Sequence, residues 1–258
     1  MIKEELRFVE STVMEGMTSI SALLAAKKAG LNDRPLLEIR FDREKADKKK
    51  RELAFLRGRC EELKIPLVLT DKEEIEAHCI GQSHGGVIAL CGERTIPSPT
   101  VENLPKNAFL CLLDGIEDPY NFGYALRSLY AAGCEGVILG ERHWMSAAGV
   151  VARSSAGASE AMPIFSGDVK SAVLAAKALG YKVACAGIRD SISHHEASLK
   201  PPLLLVVGGE KRGISAHVLA LADEVVRIDY GREFRGSLSA ASAATVLAFE
   251  VLRQKNLG

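Results

Sequence analysis

The chain contains 258 residues, of which 47% are hydrophobic and 26% charged, and its 33 lysines and arginines match its 33 acidic residues. The length exceeds that of a usual single domain, and the balanced charge argues against a tight nonspecific nucleic-acid binder. The sequence has no long apolar span and no signal-peptide pattern, so we expect a soluble cytoplasmic protein without a membrane partner.

The first part of the chain, residues 1–92, predicts a small α/β sandwich. Apolar periodicity indicates a helix ending at Gly30, a strand, a charged helix, a second strand after Pro66, a short helix after Asp71 and a closing strand. The two long helices are predicted at residues 12–28 and 44–64, and the three strands at residues 36–41, 67–70 and 87–91.

The charged helix at residues 44–64 carries a group of cations near its start. Lys49 and Arg51 belong to this group, and such side chains contact the phosphates of nucleic acids. Acidic residues such as Glu52 are interleaved with them, and a mixed charge run is more often a solvated face. The sequence leaves both interpretations open.

Residues 93–107 predict an extended linker. The segment contains Pro97, Pro99 and Pro105 and few large apolar residues, a composition that suits neither a helix nor a strand. We therefore expect a second domain over residues 108–258.

The second domain begins with an apolar run at residues 109–113, which predicts a fully buried strand. A turn follows, with Asn121 as the expected N-cap of a helix over residues 122–132. Helical side chains lean toward the N-terminus, so Arg127 is expected to extend over Gly123 toward the loop around Asn121. An ordinary capping asparagine and a solvated arginine are the alternative.

A second buried strand is predicted at residues 203–207, and it runs into Gly208, Gly209 and Glu210. Glycines permit a tight turn and a close approach of the backbone to a ligand. The pattern matches neither the P-loop nor the dinucleotide-binding fingerprint. A nucleotide held by loop backbone groups and a simple turn both remain possible.

A third segment follows a predicted strand at residues 224–228 and a charged loop. Residues 237–244 are nearly all serine or alanine and open the last helix. Ser237 is either a group that positions the substrate or the helix N-cap. The small residues also suit close helix packing or a dimer interface.

These three segments, in this order and spacing, resemble the signature motifs of the SpoU (TrmH) family of RNA ribose methyltransferases in the SPOUT superfamily. The first family motif has Asn, Gly and Arg where Asn121, Gly123 and Arg127 stand, and the second has Gly and Glu at Gly208 and Glu210. Residues 153–158 resemble an intermediate element of the family. The resemblance covers residues 108–256.

The resemblance implies an α/β-knot, a mainly parallel sheet whose C-terminal segment forms a trefoil knot. It also implies a homodimer that binds S-adenosyl-L-methionine among the knot loops. The main chain of Gly208, Ile228 and Leu238 is the implied cofactor contact, and Gly209 and Ser239 lie beside these positions.

The implied reaction is methyl transfer to a ribose 2′-hydroxyl of ribosomal or transfer RNA. Arg127 would orient the ribose or its phosphate and stabilise the developing alkoxide, because a guanidinium with a pKa above about 12 rarely acts as a base. Asn121 belongs to the same motif, and Glu210 would organise its loop or steer RNA, with a surface carboxylate as the alternative. Arg153 would contact a phosphate from the partner subunit or remain a solvated arginine.

One departure from the family concerns the third motif, which usually reads Ser-Leu-Asn. This chain has serine at position 239, which loses the second donor of the amide. A noncatalytic RNA-binding paralogue with the same knotted dimer fold is therefore the alternative function. A small-molecule nucleotide-binding enzyme would leave Asn121 and Arg127 without a purpose.

The first domain also resembles a family feature. Residues 81–89 are similar to the segment that closes the ribosomal-protein-like, RNA-binding substrate domain of many SpoU enzymes, with Gly85 replacing glutamine. The six cysteines show no Cys-x-x-Cys spacing and suggest reduced core residues. His194 and His195 lack a third nearby ligand, so we expect no metal.

Overall fold

The computed structural model describes residues 13–79, 84–140 and 147–257. Proximity of Cα atoms divides these residues into two compact units. The first unit comprises residues 13–79, 84–95 and 147–161, and the second comprises residues 96–140 and 162–257. The first unit is thus built from two separate stretches of chain, whereas the boundaries expected from sequence placed residues 147–161 in the second domain.

The described elements follow one another in an alternating α/β order. The part before residue 96 contains β1 (Val13–Glu15), α1 (Gly16–Lys28), β2 (Leu36–Asp42), α2 (Lys50–Leu63), β3 (Leu67–Thr70), α3 (Lys72–His78) and β4 (Val87–Cys91). The remainder contains β5 (Phe109–Asp114), α4 (Pro119–Ala131), β6 (Gly136–Leu139), α5 (Ala148–Ser154), α6 (Ala158–Ala161), β7 (Ile164–Ser166), α7 (Val169–Ala178), β8 (Lys182–Ala186), β9 (Ile192–Ser193), β10 (Leu203–Gly208), α8 (Ala216–Leu219), β11 (Glu224–Arg227) and α9 (Ala240–Asn256).

The first unit contains a four-stranded mixed sheet in the order β1-β4-β2-β3. Strands β2 and β3 are parallel, and the other two pairs are antiparallel. Apolar side chains of α1, α2 and α5 pack with those of the sheet into one buried core. The strands predicted at residues 36–41, 67–70 and 87–91 are confirmed.

Two predicted helices of the first unit begin later than expected. Residues 13–15 pair with β4, and the helix begins only at Gly16, whose φ of 81° lies in the left-handed region. The charged helix begins at Lys50, because Asp42 accepts a hydrogen bond from the Glu44 amide and starts a separate 3₁₀ turn. Residues 81–83 of the segment at 81–89 lie outside the described residues.

Helices α5 and α6 join the first unit through close approaches at two glycines. A Cβ atom on Gly149 would lie 2.2 Å from the carbonyl oxygen of Val13, and one on Gly157 would lie 2.1 Å from the Ala22 Cβ. Only glycine permits these distances, and Gly157 also has a positive φ of 84°. This packing is the physical reason why residues 147–161 belong to the first unit.

A buried ion pair joins α6 to the rest of the first unit. The Arg34 Nε donates to Glu160 Oε2 at 2.8 Å, and both side chains are only 2% exposed. The Arg34 Nη1 also donates to the Gly92 carbonyl at 2.9 Å, and the Asn32 amide donates to the Glu160 carbonyl at 2.6 Å. Buried charges are tolerated when paired and hydrogen-bonded in this way.

The second unit contains a seven-stranded sheet in the order β7-β6-β5-β10-β8-β11-β9. All of its strand pairs are parallel. The first five residues of each central strand, β5 and β10, are apolar and buried, as expected of strands covered on both faces. The parallel α/β architecture and the strands predicted at residues 109–113, 203–207 and 224–228 are confirmed.

Five of the six cysteines are buried free thiols, and they are Cys60, Cys91, Cys111, Cys134 and Cys185. Burial raises the pKa of Cys91, Cys134 and Cys185 to about 12. These thiols are therefore protonated at neutral pH and behave as small apolar core residues. Across the described ranges, no helix combines the length and apolarity needed to span a membrane.

Candidate active site

A cleft of about 760 Å³ lies at the edge of the second unit's sheet where the parallel strands end. Its lining comes from the ends of β8, β10 and β11, from the loops after them and from the first turns of α9. Ligands of open α/β sheets bind at this edge, and the volume is typical of small-molecule sites.

The glycine-rich turn after β10 forms one wall of this cleft. A Cβ atom on Gly208 would lie 2.3 Å from the Gly213 carbonyl carbon, and one on Gly209 would lie 2.1 Å from the Gly115 carbonyl oxygen. Asp114 fixes the turn, because its carbonyl accepts from the Gly209 amide at 2.7 Å and its carboxylate accepts from the Ser215 amide at 2.8 Å. At Gly208 and Gly209 this wall therefore presents main chain to the cleft, and Glu210 and Arg212 add side chains to it.

A smaller cleft of about 300 Å³ adjoins the first and shares Glu210 and Ala240 with it. The Asn121 side-chain amide donates to Glu210 Oε1 at 2.9 Å across this cleft. The structure therefore brings together two of the residues singled out from separate sequence motifs. They sit where the larger cleft opens into the smaller one.

The helix that carries Asn121 has a different cap from the one expected. Asp118 is the N-cap, and its carboxylate accepts from the amides of Tyr120 and Asn121. Pro119 occupies the first helical position, where proline is favoured because its missing N–H would have no partner. The predicted N-cap at Asn121 is wrong. Because Asp118 caps the helix, the Asn121 side chain can donate to Glu210 instead.

Arg127 and Ser237 lie apart from the Asn121–Glu210 pair. Arg127 is exposed on α4 and lines neither cleft. Ser237 lines the larger cleft but does not cap α9, because Ser239 holds that position. The alternative in which Ser237 is the helix cap is therefore wrong.

The candidate cofactor contacts from sequence divide into two groups. Gly208, Gly209, Ile228 and Leu238 line the larger cleft. Ser239 is absent from the lining, and its hydroxyl oxygen accepts from the Ser242 amide at 3.1 Å.

Removing the helix cap tests what Ser239 contributes. We expect Ser239→Ala to lower the free energy of unfolding by about 1 kcal/mol, because the Ser242 amide loses its acceptor. Ser239→Asn should leave it nearly unchanged, since asparagine is an equally good N-cap. Urea denaturation measures both values, and an alanine variant as stable as the unchanged protein would contradict this role.

Several cleft residues were not identified from sequence. Gly187, Ile188 and Arg189 follow β8, and Tyr230 and Phe234 belong to the loop before α9. The rule that ligands gather at strand ends would have pointed to the first three once β8 was recognised. The two aromatic residues carried no motif.

A carboxylate at the mouth of the larger cleft keeps its negative charge. Hydrogen bonding from the Ser193 hydroxyl, followed by that from Arg227, lowers the pKa of Asp229. Asp229 is therefore ionised at neutral pH. The cleft thus presents carboxylates at Asp229 and Glu210 together with several arginines.

The candidate RNA-contacting residues lie in the first unit. Arg153 Nη1 donates to the buried carboxylate of Glu15 at 2.9 Å. Lys49 pairs with Glu52 at 2.9 Å, and Arg51 is exposed in the first turn of α2. Across the described ranges, no group of three or more His, Cys, Asp or Glu side chains is arranged to hold a metal ion.

Sequence comparison relates this chain to one family. The profile of the SpoU rRNA methylase family matches residues 108–249. A Burkholderia protein named 23S rRNA (guanosine-2′-O-)-methyltransferase RlmB is 28% identical over 94% of this chain and 96% of the relative. A Staphylococcus saprophyticus protein named for the TrmH family of tRNA/rRNA methyltransferases is 31% identical, and that match covers 58% of this chain and 61% of the relative.

Structural comparison gives the same fold. The SpoU methyltransferase AviRb from Streptomyces viridochromogenes, solved in complex with the cofactor AdoMet, superposes with a TM-score of 0.76 at 21% identity. The superposition covers 94% of this chain and 89% of AviRb. At this identity the likeness demonstrates a shared fold.

Proposed function

Because the chain belongs to the SpoU rRNA methylase family, we propose that it transfers the methyl group of S-adenosylmethionine to a ribose 2′-hydroxyl of ribosomal or transfer RNA. The observation that carries this proposal is the pair of adjoining clefts. The larger has the size and main-chain lining for a nucleoside cofactor, and the smaller holds the Asn121–Glu210 pair at the junction.

The residues around the larger cleft fit S-adenosylmethionine. The main chain of Gly208, Ile228 and Leu238 would hold the nucleoside part, because the turn at Gly208 has no space for a side chain. The carboxylates of Glu210 and Asp229 suit a ligand that carries positive charge. The cofactor, when bound, supplies an electrophilic methyl group on a sulfonium.

Blocking the larger cleft tests cofactor binding directly. We expect calorimetric titration to show saturable binding of S-adenosylmethionine and S-adenosylhomocysteine, and Leu238→Trp to abolish it because the indole fills the cleft. Leu257→Trp is the matched control, since Leu257 is 73% exposed near the end of the chain. Failure of the unchanged protein to bind either ligand would favour a noncatalytic RNA-binding paralogue.

We assign separate roles in substrate positioning and charge stabilisation to the candidate catalytic side chains. Asn121 holds the Glu210 carboxylate and thereby organises the loop that joins the clefts. Ser237 lines the larger cleft and would hydrogen-bond the substrate there. Arg127 would orient the ribose or its phosphate and stabilise the alkoxide, since guanidinium is always charged and offers five donors.

We propose that Arg127 reaches an active site only in a homodimer. Tyr120, Tyr124 and Arg127 follow one another at helical spacing on α4, and both tyrosines are more than 40% exposed. Exposed aromatic rings beside an arginine are typical of protein interfaces. Sedimentation of the purified protein as a monomer at micromolar concentration would contradict the dimer.

We further propose that the C-terminal segment forms a trefoil knot. Strand β11 lies on the side of β8 that is away from β10. After β11 the chain returns across the sheet, and α9 packs against α4 and β10. Such a return across the sheet is what a threaded segment requires. An experimental structure in which α9 passes outside the loops of the sheet would rule out the knot.

The first unit is proposed to bind the RNA that the second unit methylates. The turn at His84, Gly85 and Gly86 lies beside α2, and a Cβ atom on Gly85 would be 3.4 Å from the Lys49 ammonium. Lys49 therefore lies near the segment that resembles the family's substrate domain, and Arg51 follows it by two residues in the chain. Ultraviolet crosslinking of bound RNA tests this role. Crosslinks that all lie outside the first unit would contradict it.

The proposed location is the cytoplasm, where ribosomal and transfer RNA are modified. The five buried thiols at Cys60, Cys91, Cys111, Cys134 and Cys185 form no disulfide, which supports a reducing compartment. Recovery of the protein from a membrane or extracellular fraction would contradict this location.

A further inference from the structure

Two exposed aromatic rings lie on the loop between β11 and α9. Phe234 is 58% exposed and Tyr230 is 38% exposed, and their ring centroids are 5.8 Å apart. Both residues line the larger cleft. We call residues 230–237 the aromatic loop. Its rings face solvent at the mouth of the cleft, so core packing does not account for them.

Contacts within this part of the chain set the position of both rings. The Tyr230 hydroxyl accepts a hydrogen bond from the Leu238 amide at 3.3 Å, which joins the two ends of the aromatic loop. A Cβ atom on Gly236 would lie 2.6 Å from Phe234 Cζ, so any larger residue there would displace the ring. Glycine at position 236 therefore leaves the space that the Phe234 ring occupies.

Charged side chains lie next to the exposed ring in sequence. Arg232 stands two residues before Phe234 and Arg235 directly after it, and both are exposed. The exposed Glu233 lies between Arg232 and Phe234, so the two arginines outnumber one carboxylate. Arg235 also lines the larger cleft, together with Arg189 and Arg212. An aromatic face between arginines matches the chemistry of single-stranded nucleic acid, in which bases stack and phosphates pair with cations.

We propose that the aromatic loop is a platform for an unpaired nucleobase of the RNA substrate, which stacks on Phe234 while Arg232 and Arg235 contact the adjoining phosphates. The inference rests on the proposed function, because it describes how the RNA substrate of that function reaches the cleft. The adenine of the cofactor is the other base that this ring could contact. The exposure of Phe234 and its arginine neighbours favour RNA.

A fluorescent oligonucleotide tests the platform without requiring turnover. The probe is a single-stranded hexaribonucleotide containing 2-aminopurine, titrated in the presence of S-adenosylhomocysteine. Stacking should quench the 2-aminopurine, and Phe234→Leu should weaken binding about tenfold to a hundredfold. Phe234→Trp should restore it, because tryptophan also offers an aromatic face. Phe249→Leu, an exposed phenylalanine on α9, is the matched control.

The outcomes separate this inference from the proposed function. The proposed platform is excluded if the unchanged protein and Phe234→Leu bind the probe equally well. It is also excluded if neither protein binds the probe. A loss of S-adenosylhomocysteine binding in Phe234→Leu would also overturn it, because the ring would then belong to the cofactor site. Failure of the unchanged protein to bind S-adenosylmethionine would instead contradict the proposed methyltransferase.

Salt dependence tests the two arginines separately from the ring. For single strands, the logarithm of the binding constant falls with the logarithm of salt concentration by about 0.7 for each phosphate contact. The double substitution Arg232→Gln and Arg235→Gln should therefore reduce this slope by about 1.4. An unchanged slope would remove the arginines from the platform.

Discussion

Arg127→Lys is expected to abolish RNA methyl transfer while leaving S-adenosylmethionine binding unchanged. Lysine keeps the charge but loses the planar fork of donors, so it cannot hold the ribose or phosphate and the alkoxide in the same geometry. Loss of one such donor group typically lowers turnover by about a hundredfold to a thousandfold. Arg127 lines neither cleft in the single chain, so cofactor affinity should be preserved.

The measurement compares single-turnover methylation of RNA with calorimetric cofactor binding. Arg253→Lys is the matched control, because lysine on α9 can keep the ion pair with Glu250. Arg127→Lys with normal turnover would exclude the proposed role of the guanidinium. A variant that becomes monomeric would instead assign Arg127 to the dimer interface, so sedimentation accompanies both assays.

Glu160→Gln is expected to destabilise the first unit by about 3–5 kcal/mol. The substitution leaves the 2% exposed guanidinium of Arg34 without its counter-charge, and an uncompensated buried charge carries a cost of this size. Thermal unfolding followed by circular dichroism measures the loss, with Glu62→Gln as the control at an exposed ion pair. Exposed pairs contribute little, so the control should unfold almost as the unchanged protein does.

A double substitution distinguishes the missing charge from lost packing. Replacing Arg34 with methionine and Glu160 with leucine removes both charges, and buried pairs exchanged for apolar residues are often neutral or stabilising. We expect this double variant to regain much of the stability lost in Glu160→Gln. A double variant less stable than the single one would show that two lost hydrogen bonds matter more than the charge balance. These are the bond from Arg34 to the Gly92 carbonyl and the bond from the Asn32 side chain to the Glu160 carboxylate.

The sequence predicted the parts of the fold that depend on local pattern. The runs at residues 109–113 and 203–207 are continuously apolar, and such runs become strands buried on both faces. The hydrophobic pattern of the sequence did not distinguish α1 from β1, because residues 13–15 form a strand only by pairing with β4. The Asp118 cap could have been recognised from the proline at position 119.

The sequence predicted members of the candidate site only where the residues belong to a motif within one rigid turn. Asn121 and Glu210 come together because β5 and β10 are neighbours and their ends meet at one edge. Ser237 and Ser239 are equally good caps by residue type, so the sequence could not choose between them. The aromatic loop carries no periodicity or glycine fingerprint, and Phe234 became notable only through its exposure.

The glycine contacts at α5 and α6 have a consequence for biosynthesis. Arg34 and its partner Glu160 are 126 residues apart in the chain, so a ribosome must synthesise β5, α4 and β6 before the first unit can be completed. A nascent chain ending near residue 95 would hold a buried arginine with no carboxylate and an uncovered surface at Ala22. Truncation at the proline-rich segment should therefore yield an unstable fragment, and the first unit cannot be completed before part of the second has been synthesised.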